Sequence, residues 1–205
     1  EWESVGATGW NYQNCLPYFQ RAETWMHGGD DYRGGSGPLG TSNGNNRKNP
    51  IYQAFIDAGE QAGYGLTDDY NGYRQEGFGP MHMTVQDGVR ASTRRAYLEP
   101  ARSRANLTII TGAEVDRLVV TEGIASAVVF TRHGVEQRVT ARREIILSAG
   151  SIGSPSILQR SGIGPASVLQ QAGVRQVHEL AGVGENVPAH LAVYFQYRCR
   201  QPVTL

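Results

Sequence analysis

The hydrophobic period of this 205-residue chain changes near its midpoint, and that change limits the fold more than any other feature. Up to about residue 80, apolar positions recur at helical spacing between turn-rich loops. Ile51, Ala54, Phe55, Ala58 and Ala62 follow Asn49-Pro50. Proline at a first helical position gives up an amide that has no intrahelical partner, so the pair predicts a helix start, and Gly63 predicts its end. Another helix is predicted from an Asn11 cap through Leu16, Tyr18, Phe19 and Ala22 to about Trp25, tightened or bent early by Pro17. A short one is predicted around Ser92 to Leu98.

Beyond it the period shortens. Leu107 to Thr111, Val115 to Val120, Ala125 to Thr131, Val135 to Ala141 and Glu144 to Leu147 are each rich in Val, Ile, Leu or Thr, and they read as five strands. Thr121-Glu122-Gly123-Ile124 and Arg132-His133-Gly134 are hairpin-length links, which makes the middle three an antiparallel meander. The outer two read as parallel strands, because Ile145-Ile146-Leu147 is continuously apolar. The fold class expected is therefore α+β, a mixed α/β chain.

The last of these segments runs into Ser148-Ala149-Gly150-Ser151-Ile152-Gly153-Ser154-Pro155 and a helical pattern. The first amides of a helix lack partners and carry partial positive charge, which suits a phosphate or a polar ring edge. Ordinary strand-to-helix packing accounts for the same glycine spacing, so both readings stand at this point. Composition narrows the ligand. Lys plus Arg and Asp plus Glu each number 19, and a formal net charge of zero offers no basic excess for a nucleic acid. Cys15 and Cys199 fit neither a metal spacing nor a disulfide framework. No metal-binding residue is expected. No apolar run approaches the roughly 18 residues of a membrane span, and the first residues lack a signal-peptide pattern, so a cytoplasmic protein is expected.

The run Gly150-Ser151-Ile152-Gly153-Ser154-Pro155-Ser156-Ile157-Leu158-Gln159-Arg160-Ser161-Gly162-Ile163-Gly164 resembles the second signature of the glucose-methanol-choline oxidoreductases. The resemblance extends through Gly9-Trp10, Leu16-Pro17-Tyr18-Phe19, Gly37-Pro38-Leu39, Asp69-Tyr70-Asn71-Gly72, Gln75-Glu76-Gly77-Phe78-Gly79, Ala96-Tyr97-Leu98 and Gly182-Val183-Gly184-Glu185-Asn186. It implies part of a FAD-binding, Rossmann-like domain carrying the meander, together with part of a helical substrate-side domain. The divisions expected are 1–85 for the substrate side, 86–187 for the FAD side and 188–205 for a return to the substrate domain. It further implies FAD-dependent oxidation of a primary alcohol to the aldehyde, with choline favoured and other alcohols as the alternative. A non-catalytic binding module without FAD is the reading from another class.

The resemblance assigns Ala149, Gly150 and Ser151 to contact with the cofactor, and places Val115 beside the adenine, where its backbone amide and carbonyl could read the base edge. A core valine explains Val115 equally well. Family members open with a Gly-x-Gly-x-x-Gly fingerprint and carry a catalytic His toward their C-terminus. The chain is read as having neither, hence as an internal piece with no catalytic residue, inactive alone and not retaining FAD. The electron acceptor and peripheral membrane association of the intact enzyme stay open. Trp10, Trp25 and Tyr70 are aromatic candidates for a trimethylammonium group. Arg94 and Arg95 read as solvated or ion-paired, and Asp30-Asp31 and Asp68-Asp69 as turn formers. His27, His82, His133 and His178 show no ligand spacing. Ala189 stands where relatives carry an acid before His190, and His190 reads as a loop residue.

Overall fold

A computed structural model describes residues 2–44, 49–188, 190–194, 196 and 198–203. Two compact units divide the chain, one of Glu1–Leu107 with Gln196–Leu205 and one of Thr108–Phe195.

In the first unit, a 3-10 turn (Glu3–Val5) precedes α1 (Tyr12–Ala22), whose Asn11 cap accepts a hydrogen bond from the Asn14 amide at 2.9 Å. Pro17 lies inside α1, and the helix continues past it. The helix stops at Ala22, short of the expected Trp25, because Glu23 turns extended and starts β1 (Glu23–Trp25), which pairs in parallel with β2 (Leu39–Thr41). The Glu23 carboxylate accepts from the Gly34 amide and the Thr41 hydroxyl, interactions that hold it in the strand.

Gly35-Ser36-Gly37-Pro38-Leu39-Gly40 does have the Gly-x-Gly-x-x-Gly spacing, which corrects the reading that the chain lacks it. The sextet leads into β2 rather than a helix, so it is not a pyrophosphate loop. Its surroundings explain the glycines otherwise: a Cβ on Gly37 would strike the backbone of Ala22, and one on the preceding Gly34 would strike the Gln20 carbonyl. The chain packs backbone against backbone there.

The helix α2 (Pro50–Gln61) starts as expected, with the Asn49 side chain accepting from the Ile51 amide at 2.9 Å. Its packed face differs from the expected stripe. Ala54, Phe55 and Ala58 are exposed, while Gly59 is buried against the Phe78 ring. Phe55 and Tyr64 flank that ring at 5.3 and 5.5 Å. A small hairpin, β3 (Val85–Gln86) with β4 (Val89–Arg90), turns at Asp87-Gly88, both with positive φ. The short helix expected near Ser92 is a π-helical turn (Arg94–Leu98) continued by α3 (Glu99–Ala101).

The second unit is built on the expected meander. Strands β5 (Ala113–Thr121), β6 (Ile124–Arg132) and β7 (Val135–Thr140) are antiparallel neighbours in that order. Glu122-Gly123 and His133-Gly134 all have positive φ, the geometry of two-residue hairpins that match strand twist. Ala127, Val129 and Phe130 of β6, Leu118 of β5, Ile157 of α4 (Gly150–Arg160) and Leu169 of α5 (Ala166–Gln171) are buried. Between these helices β8 (Ile163–Gly164) pairs in parallel with β9 (His178–Glu179).

Two of the five expected strands are not formed. Residues 107–111 and 144–147 pair with no strand among the described residues, and Ile109, Ile110 and Ile146 are exposed. Apolar composition marked these segments as strand-like, but a strand also needs a neighbour to take its backbone hydrogen bonds. The mixed α/β class stands.

Candidate functional site

The glycine turn enters α4 as the sequence suggests. Ala149, Gly150 and Ser151 are all exposed. Gly150 has φ 83°, and a Cβ built on it would meet nothing within 4 Å. Only glycine adopts that backbone at little cost, and the face beyond it is open. Among the described residues no side chain caps the start of α4, so its first amides lack a cap, while the Ala149 amide donates to Ser154 Oγ at 3.0 Å. These features suit close approach of a polar ligand to backbone.

Val115 lies at the other end of α4. It sits near the start of β5, where the register shifts between Val115 and Arg117 and leaves Asp116 as a bulge. Arg160, the last residue of α4, reaches this bulge. Its Nη2 donates to the Val115 carbonyl at 3.2 Å and its Nε to the Asp116 carbonyl at 2.7 Å. Next to it, Ser161 Oγ accepts from the Leu118 amide at 2.8 Å and donates to the Ile157 carbonyl at 2.6 Å, both bonds buried. The free edge of β5 is thus capped by two side chains from the end of α4. Gly150 and Arg160 stand ten residue steps apart along α4, about 15 Å, and Val115 is tied to the Arg160 end. A ligand touching both would lie along α4. The residues present fit an extended nucleotide such as FAD, with a small-residue turn at one end and a strand edge bearing backbone polar groups at the other. Sequence reasoning named both ends and missed Arg160 and Ser161, although both lie inside the quoted signature.

The candidates of the first unit sort differently. Trp25 is buried, and the Arg33 guanidinium lies 4.1 Å from its ring centroid. That face already holds a cation. Tyr70 stacks on His82 at 4.3 Å, and its hydroxyl accepts from the His82 amide at 2.8 Å. Trp10 is exposed and lines an aromatic groove of about 620 Å³ with Tyr18 and Phe19.

Arg33 organises a buried polar cluster. Its Nη2 pairs with Glu23 at 3.0 Å, and its Nε faces Asp69 at 3.5 Å. His82 Nδ1 lies 3.2 Å from the Asn71 side-chain amide and 3.5 Å from Asp69. His82 Nε2 is buried and, among the described residues, has no hydrogen-bond partner. Burial, the largest cause, together with Arg33 holds the His82 pKa below the usual histidine value, against the pull of Asp69, the Asp68 backbone and Glu23.

Asp30 Oδ1 accepts from the Tyr32 and Arg33 amides, and Asp69 Oδ1 from the Asn71 amide, as turn formers do. Arg94 pairs with Glu99 at 2.8 Å. His27 bonds Asn43, His133 occupies a hairpin turn, His178 is exposed in β9, and His190 is exposed in a loop. Ala189 lies outside the described residues. Among the described residues, no group of three His, Cys, Asp or Glu side chains is placed to hold a metal ion. No helix among them is long and apolar enough to cross a membrane.

A three-stranded meander beside a glycine-opened helix, in a mixed α/β chain, leaves an exposed turn and a strand edge that a nucleotide could use. Residues 1–192 match the GMC oxidoreductase family. The chain belongs to that family. It is 60% identical to an oxygen-dependent choline dehydrogenase of Photobacterium profundum, an alignment that covers 100% of this chain and 36% of that protein. The corresponding protein of Vibrio vulnificus is 58% identical, with 100% and 37% covered. Pyridoxine 4-oxidase from Mesorbium loti superposes with a TM-score of 0.76 at 34% identity, covering 84% of this chain and 34% of that one. A fungal aryl-alcohol oxidase superposes at 0.70 with 26% identity, covering 89% and 34%. The chain spans a little over a third of the length of the curated relatives named. FAD is the cofactor of the intact enzyme of this family.

Proposed function

We propose that the chain is part of a FAD-dependent dehydrogenase that oxidises a primary alcohol to its aldehyde, and that choline is the favoured substrate. The observation that carries this reading is 60% identity along the whole chain to a relative that bears the choline dehydrogenase name. FAD, when bound, supplies the two-electron acceptor for the alcohol. The contribution of this chain is to bind and orient. Ala149, Gly150 and Ser151 offer a small-residue turn and the uncapped first amides of α4, and Val115 offers the edge of β5 to the adenine. Residues 1–85 form part of the substrate side, residues 86–187 part of the FAD side, and residues 188–205 return to the former. No residue of this chain is assigned the proton transfer. A cytoplasmic location belongs to the same proposal, and the free thiols Cys15 and Cys199 support it.

A second reading keeps the chemistry and changes the alcohol. It is favoured by the buried state of Trp25, whose face is taken by Arg33 and is closed to a trimethylammonium group. Turnover of the full-length protein with choline and with neutral primary alcohols, followed by reduction of a dye, separates the two. The first predicts a clear preference in kcat/KM for choline. A preference for neutral alcohols defeats the choline assignment.

A further inference from the structure

We infer that Arg160 is a positioning residue for the adenosine end of the cofactor. The inference rests on the reading that Val115 borders the adenine. Strand β5 is the outer strand of the meander, so among the described residues one of its edges has no strand beside it. At its start the bulge turns two successive carbonyls, those of Val115 and Asp116, toward the end of α4. Two carbonyls facing the same way cannot both belong to a regular ladder. Something must hold them, and Arg160 does, with Nε on one and Nη2 on the other. The planar guanidinium fixes the angle between the two carbonyls, which the single ammonium of lysine cannot do.

The consequence for a nucleotide is specific. A carbonyl oxygen accepts two hydrogen bonds. Arg160 takes one lone pair of Val115 and, among the described residues, no other side chain takes the second, so the strand edge offers a donor-seeking oxygen in a set direction, suited to an exocyclic amine. The guanidinium also opposes charge at the bulge: Asp116 Oδ1 lies 3.5 Å from Arg160 Nε and its Oδ2 2.6 Å from Arg117, and Arg117 also faces Glu136 at 3.4 Å. Without Arg160 the Asp116 side chain keeps Arg117 but the two carbonyls lose their common support. Ser161 serves a different purpose. It joins Leu118 of β5 to Ile157 of α4 within the core, so it holds helix to strand without touching Val115.

The difference between the two neighbours gives the test. Dissociation constants of FAD and of FMN, which lacks the adenosine, are measured by flavin fluorescence on the full-length apoprotein, together with its thermal unfolding. Arg160→Ala is expected to weaken FAD by roughly tenfold, the scale of one misdirected hydrogen bond between the Val115 carbonyl and the exocyclic amine, and to leave FMN unchanged. Arg160→Lys should recover only part of the loss. Ser161→Ala should lower the unfolding temperature and weaken both flavins alike. If Arg160→Ala weakens FAD and FMN equally, or neither, Arg160 has no role at the adenosine end and the inference is overturned. If the unaltered protein itself binds FAD no better than FMN, the cofactor reading on which the inference stands is what fails.

Discussion

Arg33 shows how one side chain can hold a unit together. It is 7% exposed, pairs with Glu23 and Asp69, and covers the Trp25 ring. Removing one partner of a buried ion pair leaves uncompensated charge, so Arg33→Ala is expected to destabilise the first unit by about 3–5 kcal/mol in denaturant unfolding. A loss below about 1 kcal/mol, the range of an exposed ion pair, would show the cluster to be solvated instead. His82 in the same cluster gives a pH dependence. Its folded pKa is depressed, so in the window beneath the unfolded value the unfolded chain binds more protons. Its contribution is present above about pH 6.5 and declines as pH falls from there toward the folded pKa. Unfolding free energies between about pH 7 and pH 5 should therefore fall more steeply for the native chain than for His82→Gln. A steeper fall in the variant would reverse the assigned direction. None of this is legible in the sequence. Ligand spacing shows nothing at His82, and nothing singles out Arg33, because Glu23 and Asp69 lie far from it along the chain and only the fold brings them together.

Among the elements, the meander is legible and the outer strands are not, for a definite reason. Hairpins are local: Glu122-Gly123 and His133-Gly134 encode their turns in two residues, and the strands they join pair with each other. Residues 107–111 and 144–147 carry the same apolar composition, but a parallel strand takes its partner from elsewhere in the chain, which composition does not report. The site is legible in the same uneven way. Gly150 and its neighbours can be found from spacing and resemblance, since the turn is written consecutively. The cap on the β5 edge cannot, since Arg160 lies 44 and 45 positions from the carbonyls it holds. The junction of α4 with β5 makes its own prediction. Ser161→Ala leaves the Leu118 amide buried without its acceptor, and should cost about 1–3 kcal/mol of stability in the second unit. Hydrogen exchange at Leu118 should rise correspondingly, and unchanged protection there would place the support of β5 elsewhere.

For the whole molecule, family membership follows from the match along residues 1–192, and what it means for activity depends on the full-length protein. The isolated 205-residue chain is expected to purify without flavin absorbance and to reduce no dye with any alcohol, because the turn and strand edge alone provide only part of a cofactor's contacts. Stoichiometric yellow cofactor on the isolated chain would contradict that. The central claim is that the start of α4 and the bulged end of β5 lie against a flavin nucleotide. Hydrogen–deuterium exchange of the full-length protein, with and without FAD, tests it most directly. Bound FAD should slow exchange of the Gly150, Ser151 and Val115 amides by roughly tenfold or more, while the outer edge of β7 stays as it was. Equal exchange at those three amides in the flavin-bound and flavin-free protein would place the cofactor on another face of the molecule.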